Sequence, residues 1–159
     1  MEDKEILARA LKLERDGEAF YTDAAKKSAD PETQRLYRTF AEDEKLHARF
    51  IEQEYESLKA GGGFVPIPEL DDVTPIDEDA PVFEVKVRLM EKLPEDASEE
   101  DALLFALGAE VRSYELYTQG AKAAKSEAGK MLHRKLAAVE RGHFDLLMMR
   151  YESRFGYPR

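Results

Sequence analysis

Apolar side chains recur at three- and four-residue steps over four long stretches of this chain. No repeated strand-like alternation competes with that pattern. In DKEILARALKLERDGEAFYTDAAKKSA the positions Leu7, Leu11, Glu14, Glu18, Tyr21 and Ala25 share one face, which is the period of a helix. Asp30-Pro31 stops this helix and starts the next, as N-cap and first-turn proline. The second helix runs to about Ala60, where GGG at 61–63 ends it, and its apolar face carries Leu36, Tyr37, Phe40, Glu44, His47 and Ile51. Residues 61–81 are rich in Pro, Gly and Asp and read as an ordered linker. VFEVKVRLMEKL at 82–93 alternates like a strand at Phe83, Val85, Val87 and Leu89, yet its composition tolerates a short helix, which is the expectation here. Ser98 with Asp101 resembles a capping box and opens a third helix to about Lys125. Ser126 caps a fourth, to about Ser153. The expected fold is all-α: a single domain over 1–159, with one helical hairpin at about 3–60, a crossover at 61–97 and a second hairpin at about 98–153.

The hairpins repeat each other. A shift of 96 residues, without a gap, places Glu14 on Glu110, Tyr21-Thr22 on Tyr117-Thr118, Leu36 on Leu132, Ala41 on Ala137, Glu44 on Glu140, His47 on His143 and Tyr55 on Tyr151. Two copies of a helical hairpin related by a pseudo-two-fold axis make a four-helix bundle.

The repeated polar residues carry the chemistry. On a helix, positions three apart are neighbours on one face. Glu44 therefore projects with His47 and Glu140 with His143, each pair flanked by apolar residues: Phe40 and Ile51 for the first, Leu136 and Leu147 for the second. Of the 3 histidines, only His133 lacks a Glu three places before it; Lys130 stands there. Faces of this kind must point into the bundle, where Glu14, Glu44, Glu110 and Glu140 would converge. A buried lone carboxylate is very costly unless it is paired or bound to metal. Two metal ions would offset four like charges, with His47 and His143 completing the ligand set. Oxygen and imidazole donors without sulfur suit iron or manganese. The competing reading, helix-surface Glu–His pairs, does not account for the matched Glu14 and Glu110.

Composition narrows the rest. Hydrophobic residues at 43% and charged residues at 36% describe a folded globular chain. The formal charge of −10 argues against nucleic acid and anionic membranes as partners. Without cysteine there are no disulfides, thiolate metal sites or thiol nucleophiles. The charged N-terminus has no apolar signal-peptide core and no run reaches membrane-spanning length, so a cytoplasmic location is expected.

One Glu on each of two helices plus Glu-x-x-His on each of the other two is the ligand pattern of ferritin-like di-iron bundles. Within that superfamily the chain resembles the rubrerythrin branch. LERDGEAFYTDAAKK resembles the family's first-helix motif, AEVRSYELYTQGA its third-helix counterpart, and AEDEKLHARF and AAVERGHFDL its Glu-x-x-His helices, over roughly 5–58 and 101–153. The resemblance implies two iron ions, with manganese or zinc as alternatives in recombinant protein. It implies that Glu44 and Glu140 bridge the metals, that Glu14 and Glu110 are terminal ligands, and that Tyr21 and Tyr117 donate hydrogen bonds to ligand carboxylates. Two departures stand out. Rubrerythrins carry a cysteine-ligated rubredoxin module that is missing here, so electrons would come from a separate donor such as a rubredoxin. The family's extra Glu, three residues after the third-helix ligand and associated with a ligand-switching peroxidase cycle, is Ser113 in this chain. Glu18, one turn after Glu14, is its only nearby substitute and reads as a solvated or helix-pairing residue.

The expected function is a di-iron oxidoreductase that reduces peroxide or dioxygen. The alternatives are iron handling of the ferroxidase type without peroxide turnover, and a structural dimetal bundle. The acidic stretch Asp71 to Asp79 reads as a solvated loop or a docking point for a basic electron donor. The long crossover favours a homodimer, with exchange of hairpins between chains as one form of it.

Overall fold

A computed structural model describes residues 2–77, 79, 83–85 and 87–157. It is all-helical, with four long helices and no strand among the described residues: α1 Asp3–Lys27, α2 Pro31–Lys59, α3 Glu99–Ala123 and α4 Glu127–Phe155. The helix starts are set by local chemistry. Asp30 accepts from the Thr33 backbone N–H at 2.9 Å, with Pro31 in the first turn. Ser98 and Asp101 form the reciprocal capping box, and Ser126 accepts from the Gly129 N–H at 3.0 Å. Each such cap stabilises its helix by about 1 kcal/mol. At the end of α2 the chain turns through Gly61, whose φ of +84° favours a residue without a Cβ.

α1 packs along α2 and α3 along α4, and the two hairpins meet mainly through α1 and α3. Two apolar clusters occupy opposite ends of the bundle. Ile6, Leu7, Phe50, Ile51, Leu132 and Leu136 fill one; Tyr37, Phe40, Leu103, Leu107, Phe144 and Leu147 fill the other. On each helix the sequence passes from one cluster to the other through a polar position: Glu14, Glu44 with His47, Glu110, and Glu140 with His143. A polar layer is thus held between two hydrophobic ends, and its position along the axis is fixed by apolar burial on both sides.

The crossover is tied to the bundle. Buried Glu54 accepts from the Val65 N–H at 2.9 Å, Leu70 is buried, and Arg134 Nε donates to the Ile76 carbonyl at 2.7 Å. The short helix expected over 82–93 is not formed by the described residues of that stretch, 82 and 86 lying outside them. Phe83, Val85, Val87 and Leu89 instead pack on the second cluster without regular secondary structure, with Phe83 between the rings of Tyr114 and Phe144 at 4.5 and 4.3 Å. The alternation of apolar positions therefore marked burial along an irregular segment. No helix among the described residues is long and apolar enough to cross a membrane.

Candidate metal centre

The six expected ligands converge in two overlapping groups. Glu14, Glu44, His47 and Glu140 form one; Glu44, Glu110, Glu140 and His143 form the other. Within each group one ligand atom per residue lies within 4.8 Å of all the others, and every member is buried. Glu44 and Glu140 belong to both. His47 Nδ1 stands 3.6 Å from Glu14 and 3.5 Å from Glu140. His143 Nδ1 stands 3.3 Å from both Glu44 and Glu110. The two imidazoles lie nearly parallel, with ring centroids 6.3 Å apart.

Two tyrosines cross between the hairpins to hold the outer carboxylates. Tyr21 Oη donates to Glu110 Oε1 at 2.6 Å and Tyr117 Oη donates to Glu14 Oε1 at 2.5 Å. Burial, followed by the neighbouring carboxylate charges, pushes both phenols well above the ordinary tyrosine value, so they stay neutral donors.

The carboxyls divide into two kinds. Burial pushes Glu44 well up, and the charge of Glu14 pushes further in the same direction. Glu140 is raised by burial and by the charges of Glu110, Glu44 and Glu14. For Glu14 burial acts upward, but the neighbouring Glu44 and His47 and the hydrogen bond from Tyr117 overcome it and hold the carboxyl at about 2. Glu110 is likewise lowered against its burial, by Glu140, His143 and Tyr21. With no cation in place, the shared pair Glu44 and Glu140 takes up protons while the outer pair remains ionised. His143 is buried, which disfavours its charge, but Glu110 and Asp43 outweigh that and raise it well above the ordinary imidazole value.

Hydrogen bonds within the protein leave much of this layer unsatisfied. Glu14 Oε2, Glu44 Oε1, Glu110 Oε2, both Glu140 oxygens and both Nδ1 atoms are buried without a hydrogen-bond partner. Buried polar atoms are normally paired, and unpaired ones cost about 1–3 kcal/mol each. Here the orphaned atoms are all lone-pair donors pointing at a common centre. That donor set fits a pair of metal ions bound through oxygen and imidazole nitrogen.

The fold has counterparts among known proteins. The family model for the ferritin-like domain matches residues 2–144. The chain belongs to the ferritin-like family. A solved structure of a hypothetical protein from Pyrococcus furiosus is similar at 28% identity, covering 96% of this chain and 89% of that one, with a TM-score of 0.69. No curated protein matches this chain.

The ferritin-like layer is reached from outside by a cavity of about 290 Å³ between α1 and α3. Leu13, Gly17, Phe20, Phe105, Ala109 and Ser113 line it, and Tyr21, Glu44 and Glu110 lie at its inner end. Gly17 and Ser113 are equivalent in the repeat, and both are small. A Cβ on Gly17 would come 3.1 Å from Glu44 Oε2, so the glycine leaves the carboxylate room. Sequence reasoning did not assign Gly17, although its spacing from Glu14 marks it as one turn along the same face.

Asp43 was also missed. Its Oδ2 lies 2.9 Å from His143 Nε2, across the bundle. It directly precedes Glu44, and its role was hidden because its repeat counterpart is Val139. Glu18, half-buried, joins neither ligand group, and Ser113 lines the cavity. His133 is fully buried, and that burial lowers it to about 4, which makes it a neutral core residue packed near Tyr117.

Proposed function

We propose that this ferritin-like chain is a di-iron oxidoreductase that reduces peroxide or dioxygen, using electrons delivered by a separate donor protein. The observation that carries this reading is the pair of overlapping ligand groups sharing Glu44 and Glu140. Shared carboxylates at the centre, with one Glu and one His on each side, suit bridging ligands between two metals, Glu14 and Glu110 being terminal. Two ions held in this way would supply electrons and stabilise charge on both oxygens of a small oxidant.

The chain's own residues do the rest. Tyr21 and Tyr117 fix the rotamers of Glu110 and Glu14 and keep their phenolic protons at Oη. Asp43 orients the His143 ring. The cavity beside Gly17 and Ser113 leads to Glu44 and Glu110 and is sized for a small molecule. The two apolar clusters exclude bulk water from the layer, which strengthens each electrostatic contact inside it. Since the rubrerythrin resemblance comes with a serine at position 113, either oxidant remains a candidate, and ferroxidase-type iron handling is the alternative outcome. A homodimer is part of the proposal. Leu146 and Met149, exposed on one side of α4, offer an apolar contact for it.

The test is an anaerobic titration of the reduced, iron-loaded protein, followed by visible absorption. Oxidation by one equivalent of hydrogen peroxide per two irons, with catalytic consumption when a reductant is supplied, supports the proposal. Oxidation by dioxygen with iron release and no reductant-dependent turnover supports iron handling instead. Elemental analysis showing fewer than two metals per chain at saturation would overturn both.

A further inference from the structure

The two ligand groups are matched almost residue for residue. Each contains the shared Glu44 and Glu140, one further Glu and one His. Each outer Glu accepts from a tyrosine of the opposite hairpin, at 2.6 and 2.5 Å. The groups differ in what surrounds the imidazoles. His143 presents Nδ1 to the carboxylates and Nε2 to Asp43 at 2.9 Å, and its ring stacks on Phe40 with centroids 4.0 Å apart. In the repeat, the counterparts of Asp43 and Phe40 are Val139 and Leu136. His47 Nε2 accordingly has no hydrogen-bond partner among the described residues, and its ring neighbours, Phe50 and His143, both lie 6.3 Å away.

We propose that the two metal positions are inequivalent, the His143 position filling first and more tightly because Asp43 and Phe40 pre-set that ring while Val139 and Leu136 leave the His47 ring unsupported. This rests on the two-metal reading above. A histidine that donates its outer N–H to a carboxylate is held in one tautomer and one orientation, and its metal-facing nitrogen becomes a better donor. Loss of such a partner typically lowers metal affinity about 10–100-fold. The Asp43 side chain is 41% exposed, so its contribution comes more from fixing the ring than from its screened charge. The consequence is ordered assembly: a one-metal form with the ion on the Glu110–His143 side, followed by a weaker second ion on the Glu14–His47 side.

The experiment is a cobalt(II) titration of the metal-free protein, read by visible absorption and by the paramagnetically shifted proton spectrum. The wild type should take up two equivalents in two steps. Repulsion between two cations also splits the steps, so the variants decide. Asp43→Asn should weaken the first step about 10–100-fold and leave the second nearly unchanged. Val139→Asp should strengthen the second step. At one equivalent, a single slowly exchanging imidazole N–H should appear, and Asp43→Asn should make it exchange faster. Position 43 is partly exposed, so the Asn variant should fold, and Val139→Asp tests the same idea by gain of function. If Asp43→Asn leaves the first step unaltered, or Val139→Asp leaves the second, the inequivalence is overturned with the dimetal site intact. Saturation of the wild type below two equivalents overturns the two-metal reading itself.

Discussion

Tyr21 on α1 gives its hydroxyl proton to Glu110 on α3 at 2.6 Å, and Tyr117 on α3 does the same for Glu14 on α1 at 2.5 Å. Each hairpin therefore positions a buried carboxylate of the other. The seam between α1 and α3 is stitched at the polar layer as well as by apolar packing. Hydrogen bonds to a charged acceptor contribute about 1.5–3 kcal/mol, and their loss here would leave a buried carboxylate oxygen without a partner. Tyr21→Phe and Tyr117→Phe should each destabilise the metal-free protein by about 1.5–3 kcal/mol in urea unfolding, with the slope of the transition unchanged. If neither substitution shifts the midpoint, the tyrosines do not hold these carboxylates.

The cavity between α1 and α3 makes a separate prediction about access. Ala109 lines it without belonging to either ligand group. A large side chain at this position fills the path to Glu44 and Glu110 while leaving the ligands in place. Ala109→Trp should slow oxidation of the reduced, loaded protein by hydrogen peroxide at least tenfold, and slow it more for a bulkier alkyl hydroperoxide. Metal content, measured by elemental analysis, should not change. An unaltered rate in a fully loaded variant would place the entry path elsewhere.

Assembly can be probed at α4. Leu146 and Met149 are 47% and 64% exposed. If they meet a second copy, a Leu146→Glu/Met149→Glu variant should run as a monomer by light scattering at micromolar concentration, where the wild type runs as a dimer. A monomeric wild type would refute the homodimer outright.

Much of this architecture was legible because two levels of pattern agree. Apolar periodicity set four helices, and the repeat of Glu14, Glu44 and His47 as Glu110, Glu140 and His143 marked the residues that interrupt that periodicity at one common height. Local capping at Asp30, Ser98 and Ser126 fixed the helix starts by short-range chemistry alone. The stretch around Phe83 to Leu89 was misjudged because its conformation is set by the surface it covers. Phe83 sits under Arg141, 4.5 Å from the guanidinium, and between two rings of α3 and α4. Tertiary burial of that kind leaves alternating apolar residues without a regular hydrogen-bond pattern. Asp43 escaped for a related reason. It acts on a histidine of another helix, and its partner in the repeat is Val139, so comparing the hairpins concealed it.

The last prediction concerns the charge held in the polar layer of the metal-free protein. Glu44 and Glu140 are raised above their ordinary value of 4.5, first by burial and then by neighbouring carboxylates. A carboxyl whose folded value lies above its unfolded one contributes stability that is complete below about 4.5 and is lost as pH rises toward the folded value. His143, also raised, adds a loss in the same direction from its ordinary 6.5 upward. Glu14 works the other way: held at about 2, it contributes stability above 4.5 that disappears only as pH falls toward 2. Between pH 5 and 8 its contribution is therefore constant. His133, lowered to about 4 by burial, gains stability as pH rises to its ordinary 6.5 and opposes the loss up to that point, so the first three groups set the slope above 6.5. The metal-free protein should lose stability steadily between pH 6.5 and 8, measured as the urea midpoint at each pH. Metal that binds only the native state opposes the loss in proportion to the logarithm of its concentration over its dissociation constant. Replacing the two shared carboxyls by neutral amides removes the groups that must ionise. Glu44→Gln/Glu140→Gln should therefore be more stable than wild type at pH 8 without metal, equal to it or weaker near pH 4.5, and unresponsive to added metal. A double variant that is no more stable than wild type at pH 8 would show that Glu44 and Glu140 do not carry the strain of this layer.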